Sequence, residues 1–471
     1  METLSLALGV ALPWLLGFSA LAALGWPRDD ARGNSLPLRI GFGYMLGALV
    51  LTLWMRALSA LGIAFGWGSI GFPLAATAAG LLFHATRSRH FSPIDSKRVL
   101  KALLSPSLPP AQRMLWIALI AWLALRFGLL AAEVAWRPLY PWDAWVQWAT
   151  KARVWYELGR IVPFVQADAW LAGAAGAYFD ASPNYPATVP LLQVWTCIAL
   201  GRWDDSAMNW PWLAMLISLA AAIYGALRDE GVAALIALLG AYFVASLPLI
   251  DVHVALAGYA DLPMAVVYTL AALATYRWCL QRDRLDGIVA LFLAASCPLI
   301  KNPGWIWALT LIPGVVIALM PRRGVRVVAI AFAVIALVAL ALARTEPVLL
   351  GYRLHLDFAS GWAQLVKAYF LMGNWNLLFY GAIAILAIGG RRLIEIPLAP
   401  LAGITAAGLA FLLFVFAFTQ ASLWLADLTT ANRATLHIAP LLVVLSVLTW
   451  HRLSLASPVA SGVIAAEPPA A

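Results

Sequence analysis

The chain has 471 residues, 63% of them hydrophobic and only 11% charged, with a mean hydropathy of +0.86. Soluble domains carry about 25% charged residues, so that class is excluded. The net charge of +9 comes with no RNA- or DNA-binding motif, and basic loops facing anionic lipid account for it better than nucleic acid does.

Apolar runs near twenty residues recur from end to end, each long enough to cross a bilayer. Strands of a membrane barrel would alternate instead. The pattern predicts an all-α polytopic membrane protein whose backbone is satisfied within helices. The first run, residues 3–25, lacks the basic start of a secretory signal and reads as a retained helix. Further spans are expected at 38–63, 69–86, 114–135, 208–227, 231–249, 261–280, 286–300, 303–320, 326–344, 368–389, 398–418 and 435–451. That makes a bundle of about 13 transmembrane helices by length. Cys197, Cys279 and Cys297 fall in apolar runs without pairing or metal spacing and read as small buried hydrophobes.

Three parts are expected along the chain. Residues 1–113 hold N-terminal helices and a basic cytoplasmic loop. Residues 114–452 form the main membrane module, with a large outer loop over 137–207. Residues 453–471, rich in Ala and Pro, read as a disordered cytoplasmic tail.

The loop 137–186 is the most informative stretch. It spends about fifty residues where a few would join two helices, and such loops are functional or disordered. Its many Trp residues argue against disorder. The apolar run 187–201 decides the topology. Loop 87–113, with six Lys and Arg, is placed in the cytoplasm, which puts 137–186 outside. If 187–201 crossed the membrane, the later basic loops would all land outside. It is also short and bounded by Pro186, Pro190 and Gly201, so it reads as a juxtamembrane helix of the outer loop. The N-terminus is then outside and the C-terminus cytoplasmic. Asp143, Lys151, Asp180, Asp251, His253, Tyr259, Asp261, Lys301, Arg344, Arg353, His355, Asp357 and Arg433 fall on one outer face, and His437 lies close to it. Polar groups at membrane depth are expensive and point to function.

Four motifs carry the chemistry. PWDAWVQWATKARVWYELG predicts a helix over 143–158 with Trp148, Lys151 and Trp155 near one stripe. Asp143, flanked by Trp142 and Trp145, suits a general base in an aromatic cleft; it equally suits a helix cap. GYADLP, 258–263, places Asp261 at a helix start, as a second carboxylate or as another cap. In LIKNPGW, 299–305, Lys301 is either a phosphate-binding ammonium or a snorkelling lysine. In NRATLHIAPLL, 432–442, Arg433 and His437 share a helix face, and Arg matches phosphate oxygens or anchors to headgroups. Lys151, Tyr185, Arg353 and His437 are further candidates for substrate or phosphate contact. Arg126 and Glu133, seven apart, are expected to pair within the membrane. A divalent cation between Asp143 and Asp261 is compatible with the two carboxylates, but no spacing demands one.

Two outer carboxylates, several outer cations and an aromatic cleft fit sugar transfer from a lipid-linked phosphate. The phosphate leaves once its charge is met by Lys and Arg, and Asp takes the acceptor proton.

At WDAW..WATKA, YPATVPLLQVW, GYADLP, LIKNPGW and R...H..PLL, the chain resembles the GT-C superfamily of membrane glycosyltransferases. The likeness is nearest to the bacterial branch of protein O-mannosyltransferases and the lipid A aminoarabinose transferase. It is spread over 137–442 in short motifs, and residues 1–113 look like extra helices. The resemblance implies an inverting transferase in a bacterial inner membrane with a periplasmic active site, serving the cell envelope. It would use a polyprenyl-phosphate sugar donor and a glycan, lipid or protein acceptor. Asp143 would be the base, Asp261 the second acidic position, and Lys301 and Arg433 the donor-phosphate contacts. The chain departs from the family pattern at Ala144, where many relatives have a second acid, and at Pro303, where NPG stands for an expected NEG. Alternatives from other classes are a lipid-linked glycan flippase or small-molecule transporter, and a non-catalytic polyprenyl-phosphate-binding member.

Overall fold

The structure, a computed structural model, describes residues 2–28, 35–88, 108–173, 176–343, 345–349, 352–353 and 361–455. It is mostly helical. In chain order the helices used below are α1 (Glu2–Ala23), α2 (Ser35–Ala60), α3 (Phe72–Arg87), α4 (Pro110–Trp136), α5 (Ala149–Leu158), α6 (Thr188–Leu200) and α7 (Trp210–Asp229). They continue with α8 (Ala234–Ala245), α9 (Pro248–Ala255), α10 (Asp261–Gln281), α11 (Arg284–Ile300), α12 (Gly304–Leu309), α13 (Ile312–Leu319) and α14 (Gly324–Ala343). The last four are α15 (Leu378–Ile388), α16 (Leu398–Phe418), α17 (Thr429–Thr435) and α18 (Ala439–Leu455).

Among the described residues, seven helices are long and apolar enough to cross a membrane, and nine if each of two bent pairs counts as one span. The bent pairs are α8 with α9, at 57°, and α17 with α18, at 51°. The other predicted spans take different forms. Residues 261–280 lie in one long helix, α10, but 286–300 falls in α11, a helix of 17 residues, and 303–320 divides into α12 and α13. Residues 368–389 give a π-helical turn followed by an 11-residue helix. Pro303, Pro313 and Gly304 sit at these breaks, where a missing N–H or Cβ permits the chain to turn.

One continuous hydrophobic core runs from Leu12 to Leu448. The division expected at residue 113 does not coincide with a gap in this packing, because α1 and α2 share the core with α6 and α7. Small residues allow the close crossings, as in other membrane bundles. A Cβ at Gly17 would collide with Gly43 O, and one at Gly41 with Ala222 of α7. The basic loop over 89–107 and the tail beyond Leu455 lie outside the described residues; α18 itself runs to Leu455.

Side-chain bonds fix which helix ends lie together. Arg277, near the end of α10, pairs with Asp229 at the end of α7 and, at 3.1 Å, with Asp286 in the first turn of α11. Trp26 Nε1, beyond α1, donates to Asp286 Oδ1 at 2.7 Å, and Arg39 of α2 donates to Trp26 O at 2.6 Å. Arg452 of α18 joins Glu230 at 3.2 Å. The opposite ends of α7, α10, α11 and the α17–α18 pair therefore face the other way. Asp261 and Lys301 meet there, Trp212 near the start of α7 donates to Tyr259 O at 2.9 Å, and Asp143 follows α4.

Residues 137–209 consequently leave and rejoin the bundle at one end. Helix α6 within them has 13 residues, about 20 Å at 1.5 Å per residue, against about 30 Å of hydrocarbon. It packs along the first half of α1, where Ser5 Oγ donates to Ala199 O at 2.6 Å and Trp195 Nε1 to Gly9 O at 2.8 Å. The Glu2 end of α1 thus lies at the Asp261 end of the bundle, and the Leu455 end of α18 lies at the other.

Candidate active site

Asp143 is positioned by the chain's exit from α4. Pro141 O accepts from Ala144 N at 3.0 Å and from Trp145 N at 3.3 Å, which starts a π-helical turn, Ala144–Trp148, continuing into α5. Ala144, Trp148, Lys151 and Trp155 are buried, so the predicted stripe faces inward. The Asp143 side chain does not cap this turn. It reaches Arg433 instead, with Oδ2 at 2.6 Å from Nη2.

The turn before Asp261 locks against Asp143. Gly258 has φ +111, and a Cβ there would stand 2.6 Å from Ala144 Cβ. Only glycine fits this φ and this approach. Gly258→Ala is expected to cost about 1–3 kcal/mol and to displace Ala144 with its neighbour Asp143. Thermal unfolding of the purified variant checks this; a wild-type melting curve would show that the loop yields freely.

Asp261 is the first residue of α10, and its carboxylate also leaves the helix end uncapped. Its Oδ1 accepts from Lys301 Nζ at 2.6 Å, and its Oδ2 from Arg433 Nε at 3.0 Å and Nη2 at 2.9 Å. His437 Nε2 stands 3.4 Å from Oδ1 without a hydrogen-bonding alignment. Arg433 therefore bridges both carboxylates, and its guanidinium lies 4.3 Å from the centre of the Tyr259 ring. Four residues distant in sequence, Asp143, Asp261, Lys301 and Arg433, form one network. With His437 neutral, two negative and two positive groups balance. Asp261 lies at the bottom, 1% exposed, while Asp143, Arg433 and Lys301 are 25, 21 and 16% exposed.

Local sequence explains each placement. Lys301 ends α11 in extended geometry, and Gly304 N returns to Lys301 O at 2.8 Å across Asn302–Pro303. Arg433 rides on the short α17, whose start is held by Asp427 Oδ1 accepting from Thr429 N and Thr430 N. Trp375 Nε1 donates to Asn432 Oδ1 at 2.7 Å and fixes the helix beside Arg433. His437 meets the Trp307 ring edge to face at 5.3 Å.

Other expected contacts are placed elsewhere. Lys151 is 1% exposed and donates to Ser182 O at 2.6 Å, with Asp180 Oδ1 at 3.3 Å. Its ammonium is buried among partners of its own segment between α4 and α7. Tyr185 packs edge to face on Trp148 at 5.2 Å and belongs to the same latch. Burial lowers the Lys151 ammonium and raises the Asp180 carboxyl, outweighing their mutual attraction. Such pairs are weak stabilisers but costly to break singly. Lys151→Met is therefore expected to lose about 3–5 kcal/mol, and Lys151→Met with Asp180→Leu to regain most of it; urea unfolding of the two variants decides. Arg353 pairs with Glu346 at 3.9 Å, both side chains exposed, beside an antiparallel pair of short strands. Arg344, His355 and Asp357 lie outside the described residues.

The intramembrane pairing expected of Arg126 with Glu133 is not formed. Glu133 pairs with Arg137 on the next turn, and Arg126 reaches Asp251 at 2.7 Å. Seven residues put both groups on one face, but about 10 Å apart along the axis, and nearer partners win.

The residues do not fit a divalent ion between Asp143 and Asp261. Arg433 already occupies that position, Lys301 holds the far oxygen, and a metal would face two cations. No group of three or more His, Cys, Asp and Glu gathers as a ligand set among the described residues. Trp307 is not singled out by sequence, and Tyr259 is named there only among the outer-face polar residues, two residues before Asp261 within GYADLP. The chain matches no family profile, no curated protein and no solved structure.

Proposed function

We propose that the protein is a membrane glycosyltransferase that moves a sugar from a polyprenyl-phosphate donor to an acceptor hydroxyl, with inversion. The bundle would be of the GT-C type, with the short and broken helices completing about 13 membrane-level segments. The supporting observation is the single network in which Arg433 joins Asp143 to Asp261 and Lys301. In the resting state the carboxylates hold the two cations that a phosphate needs. A donor phosphate would compete for Lys301 and Arg433 and release Asp143. The acceptor O–H proton then passes to Asp143 while its oxygen attacks the anomeric carbon. The bond from that carbon to the phosphate oxygen breaks, and its electron pair leaves with the polyprenyl phosphate. Lys301 and Arg433 meet the added charge. We take this end to be the extracytoplasmic face of a bacterial inner membrane, a reading supported by the Lys and Arg of the loops toward the opposite end.

The two bent helix pairs favour a second reading, a lipid-linked glycan flippase or small-molecule transporter, since transporters bind at broken helices. Against it, every residue of α10 from Leu262 to Ala274 is buried, and apart from Tyr268 and Thr269 that stretch is apolar, which leaves little polar path toward Arg277. One experiment separates the readings. The full chain in proteoliposomes receives a labelled polyprenyl-phosphate sugar together with envelope glycan and lipid acceptors. Label moving from donor to acceptor is expected. Intact donor that changes leaflet would favour transport, and intact donor that stays in place would end the transferase reading.

A further inference from the structure

We infer that Arg126 and Asp251, a charge pair at membrane depth, are positioning residues that set the bend of α8 into α9 and thereby hold Tyr259 and Asp143 in register with Arg433. The kinetic part of this inference rests on the transferase reading; the geometric part does not.

The bend leaves backbone groups to satisfy. Pro248 has no N–H, so Val244 O takes Leu247 N at 3.2 Å instead. Leu249 N, which would return to Ala245 O in an unbroken helix, donates to Asn374 O at 3.2 Å. Ala245 O is filled by Arg126 Nε at 3.1 Å, and Ser246 O by Asn376 Nδ2 at 3.3 Å. Arg126 then uses its second face on Asp251 Oδ2 at 2.7 Å. One guanidinium thus grips the last residue of α8 and the first turn of α9. In lipid, a freed carbonyl needs such a partner.

Arg126 stands ten residues before the end of α4, about 15 Å below it. The pair is half-buried, and Asp251 Oδ1 has no hydrogen-bond partner among the described residues. An apolar pair would fill this space without desolvating two charges. What the ion pair adds is a fixed angle. From α9 the chain passes through only five residues to Asp261. Among them Gly258 lies against Ala144, and Tyr259 lies under Arg433. A change in the angle of α9 moves both.

The test uses the full chain with Arg126→Met and Asp251→Leu together, which removes both charges and leaves none uncompensated. Spin labels at Val252 and Tyr140, both exposed, report the distance from α9 to the loop before Asp143; the three native cysteines are buried. The double variant is expected to fold, to broaden or shift that distance, and to lose about 10- to 100-fold in turnover, with donor KM changed far less. Arg126→Lys keeps the charge but cannot fork to both partners, and is expected to recover part of the loss. An unchanged distance distribution overturns the inference, and so does a shifted distance with wild-type turnover. A shifted distance in a protein whose wild type transfers no sugar supports the geometric inference while the transferase reading fails on its own.

Discussion

Asp143→Asn is expected to lower sugar transfer by about 10²- to 10⁴-fold, the range a positioned general base supplies, with little change in folding. The asparagine keeps the shape and one carbonyl oxygen for Arg433 Nη2. It cannot take a proton. Asp143 is a quarter exposed and does not cap its helix, so little structure depends on its charge; exposed ion pairs contribute about 0–1 kcal/mol. The loss should appear in kcat, measured at saturating donor, because the residue acts on the acceptor proton after binding. If Asp143 served only to hold Arg433, the same variant would change donor KM and leave kcat alone. Wild-type turnover by this variant would remove the base from the proposal.

The network was partly legible in the sequence, and the reason is physical. Charged residues inside or beside apolar runs stand out because they are expensive there, so Asp143, Asp261, Lys301 and Arg433 were visible one by one. Their mutual contacts were not, since no local spacing links residues 143 and 433. Lys151 misled for the same reason that it was noticed: an ammonium among tryptophans signals a partner, and sequence could not tell Asp180 from a phosphate. Arg126 was paired with Glu133 by helical periodicity alone, which ignores a bent helix bringing Asp251 alongside. The fold shows the same division. Long apolar runs became helices, but α12, α13 and α15 fell short of a full crossing, because Pro and Gly at their ends break runs that hydropathy reads as continuous.

Balance within the network explains why buried charges persist at this end of the bundle. Asp143 shares Arg433 with Asp261 while Lys301 takes the other Asp261 oxygen, so two carboxylates and two cations offset one another. On the proposed transferase reading, the arrangement would keep the two cations assembled before a phosphate arrives, so that little reorganisation would be needed on binding.

Asp261→Ala should have the largest effect on stability of any single change at the site. The carboxylate is 1% exposed and receives three hydrogen bonds from two cations. Without it Lys301 has no acidic partner among the described residues, and Arg433 keeps only Asp143. Removing one side of a buried pair costs about 3–5 kcal/mol. Asp261→Asn should be milder, since its carbonyl still accepts one hydrogen bond, but it leaves the same positive excess. The cause can be isolated with Asp261→Ala combined with Lys301→Met, which removes the uncompensated ammonium. That double variant is expected to recover a large part of the lost stability and, on the proposed function, none of the transfer activity, because both the keystone and one proposed phosphate contact are gone. Tryptophan-fluorescence unfolding of wild type, Asp261→Ala, Lys301→Met and the double variant in detergent gives the coupling directly. Additive losses, or an Asp261→Ala protein that melts like wild type, would mean that Asp261 is not the residue holding the two cations together.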